Sequence, residues 1–258
     1  MCLIIFSWQP DKLYPLTIVA NRDEFYGRRT QKVGFWKEYP DIFGGQDQVA
    51  GGGWLAVNKQ GRFAAVTNYR EWPVKPASLS RGRLVRDYLS GNWTPVEYLD
   101  RIQSLSDRFA GFNLIVGGLV EGFYYFSNRQ RQIRHLLPGI YGLCNHLLDT
   151  PWPKLVWAKR NIARLLDCNN QADPEALVRV MHDHSIPDDK DLPQTGIGIK
   201  RERLLSSCFI QSADYGTRNT SLLLFSDKNT LKWYEQTYGS YGVSEQSLCL
   251  DIQCFSVE

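Results

Sequence analysis

Cys2 is the residue whose type and position suggest chemistry first. A cysteine that opens a mature chain carries two reactive groups. Its thiolate is a nucleophile with an ordinary pKa of about 8.5. Its free α-amine titrates at about 7.7–8.0, close enough to neutrality to take up and return a proton. Nucleophile and base then share one residue, and no histidine is needed. The arrangement requires Met1 to be removed, which a small second residue normally permits. The first twenty residues are apolar, but Gln9-Pro10-Asp11-Lys12 divides them and no basic segment precedes them, so they do not read as a secretory signal. His135, His146, His182 and His184 offer no evident Cys/His dyad. Taken alone, Cys2 reads more readily as a small packing residue at the start of a strand.

Asn21-Arg22-Asp23-Glu24 changes that balance. On pattern alone, four polar residues after Thr17-Ile-Val-Ala20 read as a solvated turn. Placed at the end of a hairpin's second strand, they also lie beside the start of its first. Arg22 would then stabilise the thiolate and Asp23 would receive the α-ammonium.

The elements must bring these residues together. Cys2–Trp8 and Leu13–Ala20 read as strands of an N-terminal hairpin. A glycine-rich loop with Gly44-Gly45 and Gly51-Gly52-Gly53 leads to a tight hairpin, Leu55–Asn58 and Phe63–Asn68. Two helices follow. One runs from near Ser80 to Ser90, with Gly91 as its C′ residue. The other starts at the capping box Thr94-Pro95-Val96-Glu97 and buries Val96, Leu99 and Ile102. Strands resume at Phe112–Leu119, Phe123–Ser127, Ile133–Leu136 and Tyr141–Cys144. A second helix pair covers Pro153–Leu166 and Pro174–Asp183, a loop covers 185–203, and strands close the chain at Cys208–Gln211, Asn219–Phe225, Leu231–Gln236 and Leu248–Phe255. Hairpins separated by helix pairs predict an α+β fold, a four-layer αββα sandwich of two largely antiparallel sheets flanked by helices. Leu3-Ile-Ile-Phe6 and Leu222-Leu-Leu-Phe225 suit strands covered on both faces.

Composition excludes several classes. Lys and Arg number 30 and Asp and Glu 27, a net charge of +3 that does not suggest a nucleic-acid partner. Hydrophobic residues make up 43%, ordinary for a globular chain. No apolar run approaches the roughly 18 residues of a membrane span. The six cysteines form no C-x-x-C pair and no metal-spaced set with histidine, so no metal site is expected, and reduced thiols in a cytoplasmic protein are. Most of those thiols read as apolar residues in strands.

Met1-Cys2 followed by Ala20-Asn-Arg-Asp-Glu-Phe-Tyr26 resembles the NRDE family, also called the transport and Golgi organisation protein 2 family. Further blocks match in order: Gly53-Trp54-Leu55, Val66-Thr-Asn-Tyr69, Gly111–Ile115, Tyr141–Asn145 with Thr150-Pro-Trp152, and Tyr215–Arg218. The resemblance spans the whole chain as one domain, 1–258. More distantly the layout is similar to the N-terminal-nucleophile hydrolases of the choloylglycine hydrolase and penicillin V acylase type. That similarity implies a catalytic set of Cys2, Arg22, Asp23, Asn68, Asn145 and Arg218. Asn145 and the Asn68 region would stabilise an oxyanion, and Arg218 would order the site. Asn21, Glu24, Trp54 and Tyr69 are the implied ligand-binding residues. Those hydrolases carry Arg-Asn-x-Asp where this chain has Asn-Arg-Asp-Glu, which leaves Asp23 and Glu24 as alternatives for holding the amine. The family resemblance implies binding or transfer of haem, or of a lipid-like ligand such as acyl-CoA. The hydrolase resemblance implies C–N hydrolysis of an N-acyl compound. The Cys2 chemistry requires no cofactor, and haem enters only as a transported ligand. The 13 Tyr, 12 Phe and 8 Trp either line an apolar cleft, with Arg22, Arg28 and Arg29 meeting carboxylates or phosphates, or fill the core; the core is the more usual use in a β-rich chain. Arg81, Arg83 and Arg86 read as a solvated helix face.

Overall fold

The computed structural model describes residues 2–168, 173–226, 228 and 230–253. Its N-terminal hairpin pairs β1 (Cys2–Trp8) with β2 (Leu16–Phe25), so the polar 21–24 motif lies within the second strand rather than in a turn beyond it. The chain then forms β3 (Thr30–Phe35), β4 (Ile42–Asp47), β5 (Leu55–Asn58) and β6 (Arg62–Asn68). Helices α1 (Gly82–Ser90) and α2 (Pro95–Ser104) precede β7 (Phe112–Gly118), β8 (Gly122–Ser127), β9 (Ile133–Leu136) and β10 (Gly139–Leu143). Helices α3 (Pro153–Cys168), α4 (Pro174–Val180) and α5 (Ile199–Leu204) lead to β11 (Tyr215–Phe225), β12 (Thr230–Tyr238) and β13 (Ser244–Gln253).

The strands make two sheets, ordered β10-β1-β2-β11-β12-β13 and β3-β4-β5-β6-β7-β8-β9, with every pairing antiparallel. Strand alternation divides their side chains among three apolar layers. Ile4, Phe6, Ile18, Ala20, Phe63, Ile115 and Leu223 fill the space between the sheets. Leu3, Ile5, Val19, Leu222 and Leu224 pack outward against Leu155, Ile162 and Leu177 of α3 and α4. Ala64, Val66, Leu114 and Val116 meet Leu84, Val85, Leu99 and Ile102 of α1 and α2. The expected αββα sandwich is therefore present. Strands covered on both sides need apolar residues at successive positions, and each such side chain contributes about 1.5–3 kcal/mol when fully buried.

At α2, Thr94 accepts from the Glu97 N–H while Glu97 accepts from the Thr94 N–H, the complete capping box. Leu99 and Ile102 are buried, but Val96 is exposed, and Tyr98 takes the inward position. Gly91 ends α1 in extended backbone at φ −100° rather than in a left-handed C′ conformation. Gly44-Gly45 belongs to β4, and β3 and β4 had no counterpart in the sequence reading. The 185–203 loop contains most of α5, and Cys208–Gln211 forms no strand. The last strand starts at Ser244 rather than Leu248. Residues 254 and 255, including Cys254, lie outside the described residues. Cys144 and Cys208 are buried but outside strands, and Cys249 is exposed on the edge strand β13.

Candidate active site

The β1–β2 register places Cys2 directly opposite Arg22. Both continue the alternation of Ile4, Phe6, Ile18 and Ala20, so they face the space between the sheets at its open end. There a cavity of about 230 Å³ is lined by Cys2, Arg22, Asp23, Glu24 and Arg28 from the first hairpin and the turn after it. Trp54, Val66 and Asn68 come from the second sheet and its flank, and Ser80, Arg81 and Gly82 from the start of α1.

Cys2 is 6% exposed, and burial pushes its thiol up to about 11. It is therefore a thiol at neutral pH and needs a proton acceptor before it can attack. Arg22 is equally buried and donates through Nη1 to Thr30 Oγ1 at 3.1 Å. Asp23 is 1% exposed; its Oδ1 accepts from Thr217 Oγ1 at 2.8 Å, and Tyr215 Oη donates to its carbonyl at 3.2 Å. Burial raises the Asp23 pKa, while the positive charge of Lys154 opposes the rise. Glu24 is less buried, accepting from the Phe25 N–H at 2.9 Å and lying 3.9 Å from Arg28. Arg28 donates to one oxygen of Asp47, Oδ2, through Nη2 at 2.6 Å and Nε at 3.1 Å.

The other expected site residues divide. Trp54 and Asn68 line the cavity. Asn145 is fully buried and absent from the wall; its Nδ2 donates to the Asn68 carbonyl at 3.0 Å, so it fixes the backbone that presents Asn68. Asn21 is not placed to bind a ligand, because strand alternation turns it to the opposite face. There its Nδ2 donates to Met181 O and Cys208 O, and its Oδ1 accepts from Thr220 Oγ1. Tyr69 also lies off the cavity wall, hydrogen-bonded to His146 Nε2 at 2.7 Å. Arg218 holds the turn after β2 by donating to the carbonyls of Phe25, Tyr26 and Arg28, each at 3.0 Å. It lines a neighbouring cavity of about 80 Å³ that shares Arg22, Thr30, Gly45 and Trp54 with the first. The aromatic residues mostly fill the cores, Trp54 being the one among the described residues in the Cys2 cavity wall, and Arg29 is exposed.

Sequence reasoning missed Arg81, which lies on the cavity wall rather than on a solvated helix face. The available signal was spacing. Arg81 and Arg83 are two apart, which separates them around a helix, and Arg83 is exposed while Arg81 is half-buried. Among the described residues, no cluster of three or more His, Cys, Asp and Glu side chains is arranged to hold a metal ion. None of the described helices is long and apolar enough to cross a membrane.

The profile of the "Transport and Golgi organisation 2" family matches residues 1–240. The Transport and Golgi organization protein 2 homolog of Bos taurus is 32% identical, over 87% of this chain and 88% of that protein. The Mus musculus homolog is 29% identical, over 92% and 98%. Among solved structures, the C2A mutant of a conjugated bile acid hydrolase from Clostridium perfringens superposes with a TM-score of 0.54 at 9% identity, covering 98% of this chain and 92% of that one. The fold is thus that of the N-terminal-nucleophile hydrolases, at an identity that speaks for architecture alone.

Proposed function

Because the chain belongs to the Transport and Golgi organisation 2 family and has the fold of the N-terminal-nucleophile hydrolases, we propose that it is a cysteine amidohydrolase acting on an N-acyl compound. The observation carrying this reading is the β1–β2 register, which sets Cys2 against Arg22 on the wall of one polar cavity. With Met1 removed, the Cys2 α-amine takes the thiol proton and the sulfur attacks the acyl carbon. Asn68 faces the developing oxyanion, and Asn145 holds the Asn68 backbone in place. Collapse breaks the C–N bond, and the amine leaves with the proton carried by the α-ammonium. Water then hydrolyses the thioester, releasing the acid and restoring the thiol. Asp23, rather than Glu24, holds the amine in this reading, because it is the more buried and Glu24 is occupied by Arg28 and the Phe25 N–H. Asn21, Tyr69 and Arg218 support the scaffold around the reaction.

The experiment is a panel of N-acyl substrates with wild type and Cys2→Ala, combined with the intact mass of the purified protein. The expected result is loss of Met1 and a fall in turnover of about a thousandfold or more in the variant. Retained Met1, or equal turnover in both proteins, would overturn the mechanism.

A second reading keeps the cavity as a binding site for haem or acyl-CoA, which it holds and passes on. Its support is the pair of adjoining cavities that share Arg22 and Trp54, an extended space for a larger ligand. Among the described residues, the Cys2 cavity wall offers one soft ligand for haem iron, Cys2 itself. Titration with haem and with acyl-CoA separates the readings. Saturable binding without turnover supports the carrier, and binding of neither removes it.

A further inference from the structure

Of the guanidinium groups of Arg22, Arg28 and Arg81 on the cavity wall, only Arg28 hydrogen-bonds a carboxylate among the described residues. Arg28 is taken up by Asp47 at 2.6 Å and lies near Glu24 at 3.9 Å. Arg22 and Arg81 donate only to neutral oxygens among the described residues, Thr30 Oγ1 and Gly111 O, each at 3.1 Å. Arg22 is nine-tenths buried and hydrogen-bonds a neutral hydroxyl, with Glu235 acting on it only through its charge across the neighbouring cavity, so an arriving anion would complete its pairing. The remaining wall carboxylate, Asp23, hydrogen-bonds Thr217 and has the charge of Lys154 acting on it.

Arg81 is also presented with unusual firmness. It immediately precedes α1, whose first residue, Gly82, lines the cavity, so the positive end of that nine-residue helix meets the same space. The helix start is fixed by backbone contact. Gly53 N donates to Gly82 O at 3.2 Å, and a Cβ on Gly52 would stand 2.3 Å from the Gly82 carbonyl. Guanidinium groups recognise planar or tetrahedral oxyanions through paired hydrogen bonds.

We infer that Arg81, with Arg22 and the start of α1, forms an oxyanion-binding subsite beside Cys2, so that the molecule presented to the thiol carries a carboxylate or phosphate group. The inference rests on the Cys2 cavity being the reactive site. It makes Arg81 the residue that selects charged over neutral substrates.

The test is selective alkylation of Cys2, which requires no substrate and no turnover. Iodoacetate and iodoacetamide transfer the same methylene to sulfur with loss of iodide, and they differ in carrying a carboxylate or a neutral amide. Alkylation is followed at the Cys2 peptide by mass spectrometry, since Cys249 also reacts from an exposed position. In Arg81→Gln the ratio of iodoacetate to iodoacetamide rates should fall about tenfold, the worth of one charge-assisted hydrogen bond. Any change in thiol ionisation affects both reagents and cancels in the ratio. Arg81→Lys, which keeps the charge, should retain most of it. In the unmodified protein, inorganic phosphate or propionate should protect Cys2 saturably against iodoacetate while an equal concentration of chloride does not. Protection by one of the two identifies which oxyanion the subsite takes. An unchanged ratio in Arg81→Gln, or protection by neither anion, would overturn the subsite. Failure of the hydrolase reading shows instead as absent turnover and leaves these ratios untouched.

Discussion

Three successive residues of β2 take three different roles because side chains alternate across a strand. Arg22 faces the cavity, Asn21 faces the layer of α3 and α4, and Asp23, on the cavity wall, is held by Thr217. Asn21 meets its hydrogen-bonding needs there completely, with two buried carbonyls and one threonine hydroxyl. Asn21→Ala should therefore cost about 2–4 kcal/mol in urea unfolding, because it strands buried carbonyls, with little effect on the alkylation ratio at Cys2. A large change in that ratio with unchanged stability would return Asn21 to the site. The sequence marked the 21–24 tetrad as chemical but could not tell which members face the ligand. That depends on the strand continuing to Phe25, and the polar run concealed the continuation.

Positioning at the level of elements rests on close backbone approach as much as on side chains. The Gly51-Gly52-Gly53 segment reads as a flexible loop, yet Gly52 is where it touches the first turn of α1. Gly52→Ala should destabilise the protein by about 1–3 kcal/mol and lower the iodoacetate preference at Cys2, because α1 must shift and carries Arg81 with it. Full stability together with an unchanged preference would show that this contact positions nothing. The caps of α2 and α4 were legible because a capping box and an Asp-Pro start act within a few residues. β3 and β4 were not legible. Thr30–Phe35 and Ile42–Asp47 contain glycines and polar residues, and they become strands by pairing with each other and with β5.

At the scale of the whole molecule, two histidines tie opposite parts of the sandwich together through tyrosine hydroxyls. His146 Nε2 lies 2.7 Å from Tyr69 Oη, and His182 Nε2 lies 2.5 Å from Tyr238 Oη. Burial lowers the pKa of both from the ordinary 6.5. Just below pH 6.5 the unfolded chain therefore binds more protons than the native one. The stabilisation is complete above 6.5 and is lost as the pH falls through the native values, at up to about 1.4 kcal/mol per pH unit for each histidine. Urea midpoints measured from pH 7.5 to 5.5 should fall with acidification, and His182→Gln should flatten the slope by about half. An equal slope in the variant would count against the assignment. The sequence by itself determined the layered architecture, since unbroken apolar strands and amphipathic helices can be satisfied only when each sheet is covered on both faces. It also determined which residue the proposed reaction would use as nucleophile, because the residue at position 2 is fixed by the chain. The tertiary structure alone decided the company Cys2 keeps. It joined Asn68 and Arg81 to Cys2 and withdrew Asn21, Tyr69 and Arg218, because strand register and the contact of Gly52 with α1 link residues far apart in sequence, where no local pattern records the pairing.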